Sequence, residues 1–257
     1  MPAYVSHSIM AREVYNKINN DNVSLEYMLT FSQGGDLCKY SKCRRDSHNI
    51  KQDEFIYNMA DYIISNNLIH DKECIGVLYG HICHYVMDDV IHPLIRKVDR
   101  TCKKRKNNHT LIEGYYDSYL SRTHCKKQIN EYDNKAIFKG KMNRKITKMI
   151  NYVYDITYNT KHVSSYYKLN IFLYKKIKYL YKLFSLKTLK KYSGFNDFME
   201  DNKNVDLFNN DNKIRYNDYR KKESCESLDE SYERSIKRAI EYINKINNYM
   251  EEKCIKK

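Results

Sequence analysis

The chain has 257 residues and a formal net charge of +14 at pH 7. It contains only two Pro and seven Gly residues, and this scarcity of helix breakers favours a helical protein. No stretch approaches the roughly 18 consecutive apolar residues of a membrane-spanning helix, which excludes that class. We therefore expect one compact all-α domain over residues 1–257.

The first residues lack a basic patch followed by an apolar run, so we expect a cytoplasmic protein. The eight Cys residues form no C-x-x-C pair and show no spacing typical of a small disulfide framework. This pattern predicts reduced thiols, as in cytosolic proteins.

Apolar periodicity predicts a series of amphipathic helices. In chain order they cover residues 5–19, 24–31, 52–67, 71–92, a segment that starts near Asn108, 143–157, 164–191 and about 226–252. The stretch 196–219 is rich in Asn and acidic side chains and predicts a loop. We expect the last helix to pack against the central helix 71–92.

Candidate ligands occur early in the chain. His7 begins the apolar stripe of the first helix, and a Gly34-Gly35 turn presents Asp36. A polar, basic loop then runs to His48. Loops suit ligands that must reach one site from several directions.

The central helix carries His84, Asp88 and His92 at four-residue intervals. Residues at this spacing lie on one face of a helix, with Cβ atoms about 5–6 Å apart. Imidazole nitrogens and carboxylate oxygens are ligands of zinc, and a buried charge is tolerated chiefly when it is paired or metal-bound. The pattern therefore predicts a metal site, with a structural His–Asp hydrogen bond as the alternative. We expect Pro93 to end or kink the helix directly after His92.

Three neighbouring features have more than one interpretation. His109 and Glu113 repeat the four-residue interval and form either metal ligands or a surface ion pair. His81 lies one turn before His84 and is a ligand, a group that orients ligands, or neither. Cys83 points about 100° away from His84 on a helix and is expected to pack rather than ligate.

The excess positive charge is confined to one segment. Residues 135–191 contain 15 Lys and Arg against the single acid Asp155, and Lys alternates there with Tyr. Such a surface would attract phosphate, either of an anionic membrane or of nucleic acid. The alternative is a set of amphipathic helices whose lysines simply face water.

The order of these ligands resembles the zinc-dependent phospholipase C family, whose relatives are the single-strand-specific zinc nucleases. The resemblance rests on MPAYVSH, SQGGDL, a lone His ahead of an amphipathic helix, CHYVMDDVIHP and HTLIE, and it covers residues 1–120. It implies the multi-helix fold of that family, in which residues 1–120 form the metal-binding core. Residues 121–257 would complete the bundle.

The resemblance also implies three zinc ions. The ligands would be Asp36, His48, His84 and Asp88 for the first ion, His92, His109 and Glu113 for the second, and His7, Asp88 and the amino terminus of Pro2 for the third. Asp88 would bridge two ions, and Asp36 would also accept a proton. The chain departs from the secreted members in its Pro2 terminus and in the short step from Asp88 to His92, so His92 can serve either ion.

The family pattern implies hydrolysis of a phosphodiester by a zinc-bridged hydroxide, with a phospholipid headgroup as the favoured substrate. A nuclease that cuts single strands is the first alternative. The second is a non-catalytic helical zinc protein that binds membrane or nucleic acid through residues 135–191. No protein partner is predicted.

Overall fold

The structure is a computed structural model. It describes the backbone of residues 4–38, 51–101, 108–127, 131, 133–188, 213–217 and 223–255, and the side chains of these residues except 101, 108–111 and 177–188.

Helices dominate the part of the chain that the structure describes, which confirms the all-α prediction. The helices are α1 (Tyr4–Ile18), α2 (Leu25–Phe31), a 3₁₀-helix (Gly34–Cys38), α3 (Gln52–Ser65), α4 (Lys72–Thr101), α5 (Asn108–Cys125), α6 (Asn134–Ile137), α7 (Arg144–Tyr158), α8 (Ser164–Thr188) and α9 (Leu228–Ile255). Their bounds agree with the predicted helices to within a few residues, except at the end of α4. The short helix α6 has no counterpart in the prediction.

A small antiparallel sheet contradicts part of the predicted loop 196–219. Strand β1 (Ile214–Asn217) pairs with strand β2 (Glu223–Glu226). Tyr216 is the one buried side chain of β1. A four-residue strand with a single buried position has too little alternation to be recognised from sequence. Residues 196–212 and 218–219 lie outside the described part.

Helix α4 is the central element, and it packs most extensively against α2 and α9. The contact with α9 confirms the predicted packing of the last helix. Gly76 and Gly80 lie one turn apart on the α2 side of α4. A Cβ at Gly80 would lie 2.7 Å from the carbonyl oxygen of Met28 and 2.8 Å from the carbonyl carbon of Phe31. Glycine therefore permits a close approach of the two backbones.

Pro93 lies inside α4, so the predicted helix end at this residue is wrong. The proline removes one backbone hydrogen bond, a cost that normally ends or kinks a helix. The following turns bury Leu94, Ile95 and Val98. Burial of each such side chain contributes about 1.5–3 kcal/mol, which offsets the lost hydrogen bond. The helix continues to Thr101 for this reason.

The described cysteines are all free, which agrees with the predicted reduced thiols. Cys83 is fully buried in the hydrophobic core, as expected for a packing residue. Within the described ranges, every helix is too short or too polar to cross a membrane.

We expect Gly80→Ala to destabilise the protein, because the added methyl group would meet backbone atoms of α2 that cannot move independently. Overpacking of this kind costs about 1–3 kcal/mol in the free energy of unfolding, measurable by chemical denaturation. Gly114→Ala on α5 is the matched control, since nothing lies within 4 Å of a Cβ built there. The control should gain about 0.5–1 kcal/mol. Equal stability of the two variants would contradict the close packing of α4 on α2.

Candidate metal centre

Four elements bring together six of the nine predicted ligand positions. We call this group the Asp88 cluster, and its members are His7 on α1, Asp36 on the 3₁₀-helix, His84, Asp88 and His92 on α4, and Glu113 on α5. Helix α1 packs against both α4 and α5, and the 3₁₀-helix packs against α4. The cluster therefore forms where α1, the 3₁₀-helix and α5 meet the central helix α4.

Asp88 lies at the centre of the cluster and faces three imidazole rings. Its Oδ1 lies 3.4 Å from Nε2 of His7 and 3.6 Å from Nδ1 of His92. Its Oδ2 lies 3.4 Å from Nε2 of His84. These separations are longer than the 2.7–3.2 Å range that is typical of N–H···O hydrogen bonds. Asp88 thus faces three histidines, and its bridging of two ions stays a prediction.

The donor set fits a divalent metal ion. Ligand atoms that bind a tetrahedral ion at about 2.0–2.2 Å lie roughly 3.3–3.6 Å from one another. His7, His84 and Asp88 each offer a ligand atom, and these atoms lie within 4.8 Å of one another. Nδ1 of His7 is buried and has no hydrogen-bond partner among the described residues. A buried nitrogen without a partner costs free energy unless a bound group contacts it.

A second pair extends the cluster toward solvent. Nε2 of His92 lies 3.2 Å from Oε1 of Glu113, which is buried. The His92 side chain is 21% exposed, against 4% for His7 and 0% for His84. Among the described residues of the cluster, His92 is therefore the one most open to solvent.

Electrostatics keep the central carboxylate charged. Burial by itself raises the pKa of Asp88, but His92, His84 and His7 outweigh this effect and hold the pKa well below its usual value. Burial lowers the pKa of His92, whereas Asp88, Glu113 and Asp36 raise it, and the net shift is upward. The effect of Asp36 on His92 places this third buried carboxylate in the same electrostatic environment. Three buried carboxylates concentrate negative charge that a cation would neutralise.

Gly34 fixes the turn that leads to Asp36. Its φ is +42°, in the left-handed region that favours glycine. A Cβ at this position would lie 2.1 Å from Cδ2 of His84. The turn can therefore rest directly on the His84 ring, and Asp36 follows two residues later.

His81 belongs to a buried hydrogen-bond network and not to the metal ligands. Its Nδ1–H donates to the carbonyl oxygen of Val77 over 2.9 Å, and its Nε2 accepts from the hydroxyl of Tyr167 over 3.0 Å. Burial lowers the pKa of His81 to about 4, so the ring is neutral. The Tyr167 hydroxyl also lies 3.3 Å from the carbonyl oxygen of Gly34. His81 thus helps to position the turn that carries Asp36.

Asp117 supports the helix that carries His7, and the sequence did not predict this role. This buried carboxylate on α5 accepts hydrogen bonds from the backbone N–H of Ser6 at 2.8 Å, from the Ser6 hydroxyl and from the N–H of Val5. It therefore caps the first turn of α1, directly before His7. A signal was available, because Asp117 continues the four-residue interval of His109 and Glu113.

The structure does not describe the side chains of three predicted ligands. Pro2 and His48 lie outside the described residues, and only the backbone of His109 is described, in the first turn of α5. The structure therefore tests neither the assignment of ligands to three ions nor the role of the amino terminus.

Comparison with known proteins gives no further assignment. The chain matches no protein-family model, no curated protein and no solved structure. Its function must be argued from its own residues.

We expect Asp88→Asn to abolish tight metal binding, because the amide keeps the shape of the side chain but removes its charge. Loss of this ligand should weaken the metal affinity at least roughly a hundredfold, since loss of groups that merely orient ligands already costs 10–100-fold. The metal content per chain, measured by elemental mass spectrometry, tests this. Asp89→Asn is the control, because Asp89 pairs instead with Arg238 at 2.8 Å. Full metal content in Asp88→Asn would exclude the proposed centre.

We expect Asp117→Ala to lower the free energy of unfolding by about 1–3 kcal/mol, because three buried donors lose their acceptor. Metal affinity should fall as well, since His7 directly follows the capped Ser6. Asp117→Asn keeps one acceptor oxygen and should recover part of both losses. Chemical denaturation and metal titration measure the two effects. A stability loss with unchanged metal affinity would limit Asp117 to a structural role.

Proposed function

We propose that this protein is a zinc-dependent phosphoesterase similar to phospholipase C, with the multi-helix fold of that family. The observation that carries the proposal is the convergence of three imidazoles on the buried Asp88 carboxylate, next to the His92–Glu113 pair. Clustered imidazole and carboxylate ligands are typical of zinc centres that hydrolyse phosphate esters.

The described residues divide into two ligand groups. His7, His84 and Asp88 would hold one ion, and His92 with Glu113 would contribute to another. Bound zinc supplies a water molecule of lowered pKa and polarises the phosphoryl oxygens. Asp36 is buried beside these groups and would accept the proton that the attacking water releases.

A phospholipid headgroup is the favoured substrate. Among their described side chains, helices α7 and α8 expose four large apolar groups, Tyr152, Ile156, Leu169 and Phe172. These residues lie within the Lys-rich segment 135–191. Exposed apolar side chains beside lysines are typical of surfaces that bind anionic membranes. The same lysines support the single-strand nuclease as the second candidate.

We expect the protein purified with zinc to hydrolyse phospholipid vesicles and the chromogenic diester 4-nitrophenyl phosphorylcholine, and to leave single-stranded DNA intact. His84→Ala should lower the rate at least roughly a hundredfold, by removal of a metal ligand. The control His70→Ala changes an exposed histidine and should keep the full rate.

Other outcomes of this experiment would contradict the proposal or favour a different function. Cleavage of DNA alone would favour the nuclease. Bound zinc without any hydrolysis would favour a non-catalytic zinc protein. Fewer than two zinc ions per chain would contradict a centre with several ions.

A further inference from the structure

A basic cleft lies beyond the exposed end of the Asp88 cluster, where α4 runs beside the β-hairpin. It has a volume of about 490 Å³. One wall consists of the part of α4 that follows Pro93, and the other consists of strands β1 and β2. Its charged lining residues are Arg96, Lys97, Arg100, Arg215 and Glu223. We call it the arginine cleft.

The described lining of the arginine cleft is predominantly positive. It contains four cations and one carboxylate, and that carboxylate lies 3.8 Å from the Arg215 guanidinium. Arg96, Lys97 and Arg100 have exposed side chains on α4. Arginine has a planar, forked group that can donate two parallel hydrogen bonds to a phosphate. The cleft is therefore suited to a phosphate-bearing ligand.

The cleft is adjacent to the metal centre. His92, Arg96 and Arg100 follow one another at four-residue intervals on α4. Residues at this spacing are neighbours on a helix, so the first arginine lies one turn beyond His92 and the second about 12 Å along the axis. Pro93, the residue after His92, itself lines the cleft. One ligand can thus contact both the cleft and the open side of the cluster.

We propose that the arginine cleft binds a second phosphate group of the substrate, one that is not hydrolysed. This inference rests on the proposed phosphoesterase function and narrows its preferred substrate to a headgroup that carries at least one additional phosphate. The cleft adds no affinity for a zwitterionic headgroup, because its cations repel a quaternary ammonium group.

A nucleic acid strand fits the cleft less well than a compact phosphorylated headgroup. Binding of single strands depends on aromatic side chains on which bases stack. Tyr216 is the one aromatic residue among the described lining residues, and it is only 4% exposed. Its hydroxyl bonds to Glu226, so the ring is held within the protein. The described lining residues therefore offer charge for phosphates but no exposed aromatic ring on which a base could stack.

The test is a calorimetric titration with myo-inositol 1,4,5-trisphosphate, phosphocholine and a thymidine oligonucleotide. We expect the trisphosphate alone to bind tightly, and Arg100→Gln/Arg215→Gln to weaken its binding roughly tenfold or more, since each cation near a phosphate contributes about 1 kcal/mol. Arg12→Gln/Lys17→Gln removes the same charge from exposed positions on α1 and should bind as the unmodified protein does. Phosphatidylcholine vesicles with and without phosphatidylinositol bisphosphate distinguish a lipid source of the phosphates from a soluble one.

Equal trisphosphate affinity in the cleft variant and the α1 variant would overturn the proposal. A second result would also overturn the proposal, namely that the unmodified protein binds the oligonucleotide but not the trisphosphate, and that the cleft variant no longer binds the oligonucleotide. This result would indicate a nucleic acid interface. Hydrolysis of bis(4-nitrophenyl) phosphate, which carries no second phosphate, should be the same in the α1 variant and the unmodified protein. That reaction fails if the phosphoesterase proposal is wrong, whereas the titration reports on the cleft alone.

Discussion

The buried Asp88 carboxylate is the constraint on which the rest of the structure depends. A charged group of this kind is stable in a protein interior only when opposite charge or strong hydrogen bonds compensate its lost hydration. Three histidines from two helices supply that compensation here. Because the carboxylate is shared, the positions of α1 and α4 are coupled through it. Any displacement of one helix changes the surroundings of the same two oxygen atoms.

Apolar packing positions some elements of the Asp88 cluster, and buried hydrogen bonds position others. Glycines on α4 let α2 approach closely, and the chain that follows α2 then reaches Asp36. The Tyr167 hydroxyl bonds to His81 and lies next to the Gly34 carbonyl oxygen of the same turn. Asp117 fixes the first turn of α1. The ligands thus lie on elements that are held independently, which is the arrangement that a preorganised site needs.

The sequence predicted the helical spacing within this site and missed several of the long-range contacts that support it. The helical interval of His84, Asp88 and His92 is a local property, so periodicity was sufficient to place them on one face. That Asp117 caps α1 depends on a contact between residues 111 positions apart, which no local pattern contains. The strands were missed for a similar reason, since their pairing satisfies backbone groups and involves few buried side chains.

The continuation of α4 past Pro93 matters for the proposed function. A helix that ended at this proline would have placed Arg96 and Arg100 on a loop of undefined direction. Because tertiary packing carries α4 on to Thr101, both arginines share a rigid element with His84, Asp88 and His92. A ligand that is bound by the arginines is therefore held at a fixed distance from the cluster, and rigid positioning of this kind is what lowers the entropic cost of a reaction. The same helix thus sets both the position of the candidate metal ligands and the distance between the two phosphates of the proposed substrate.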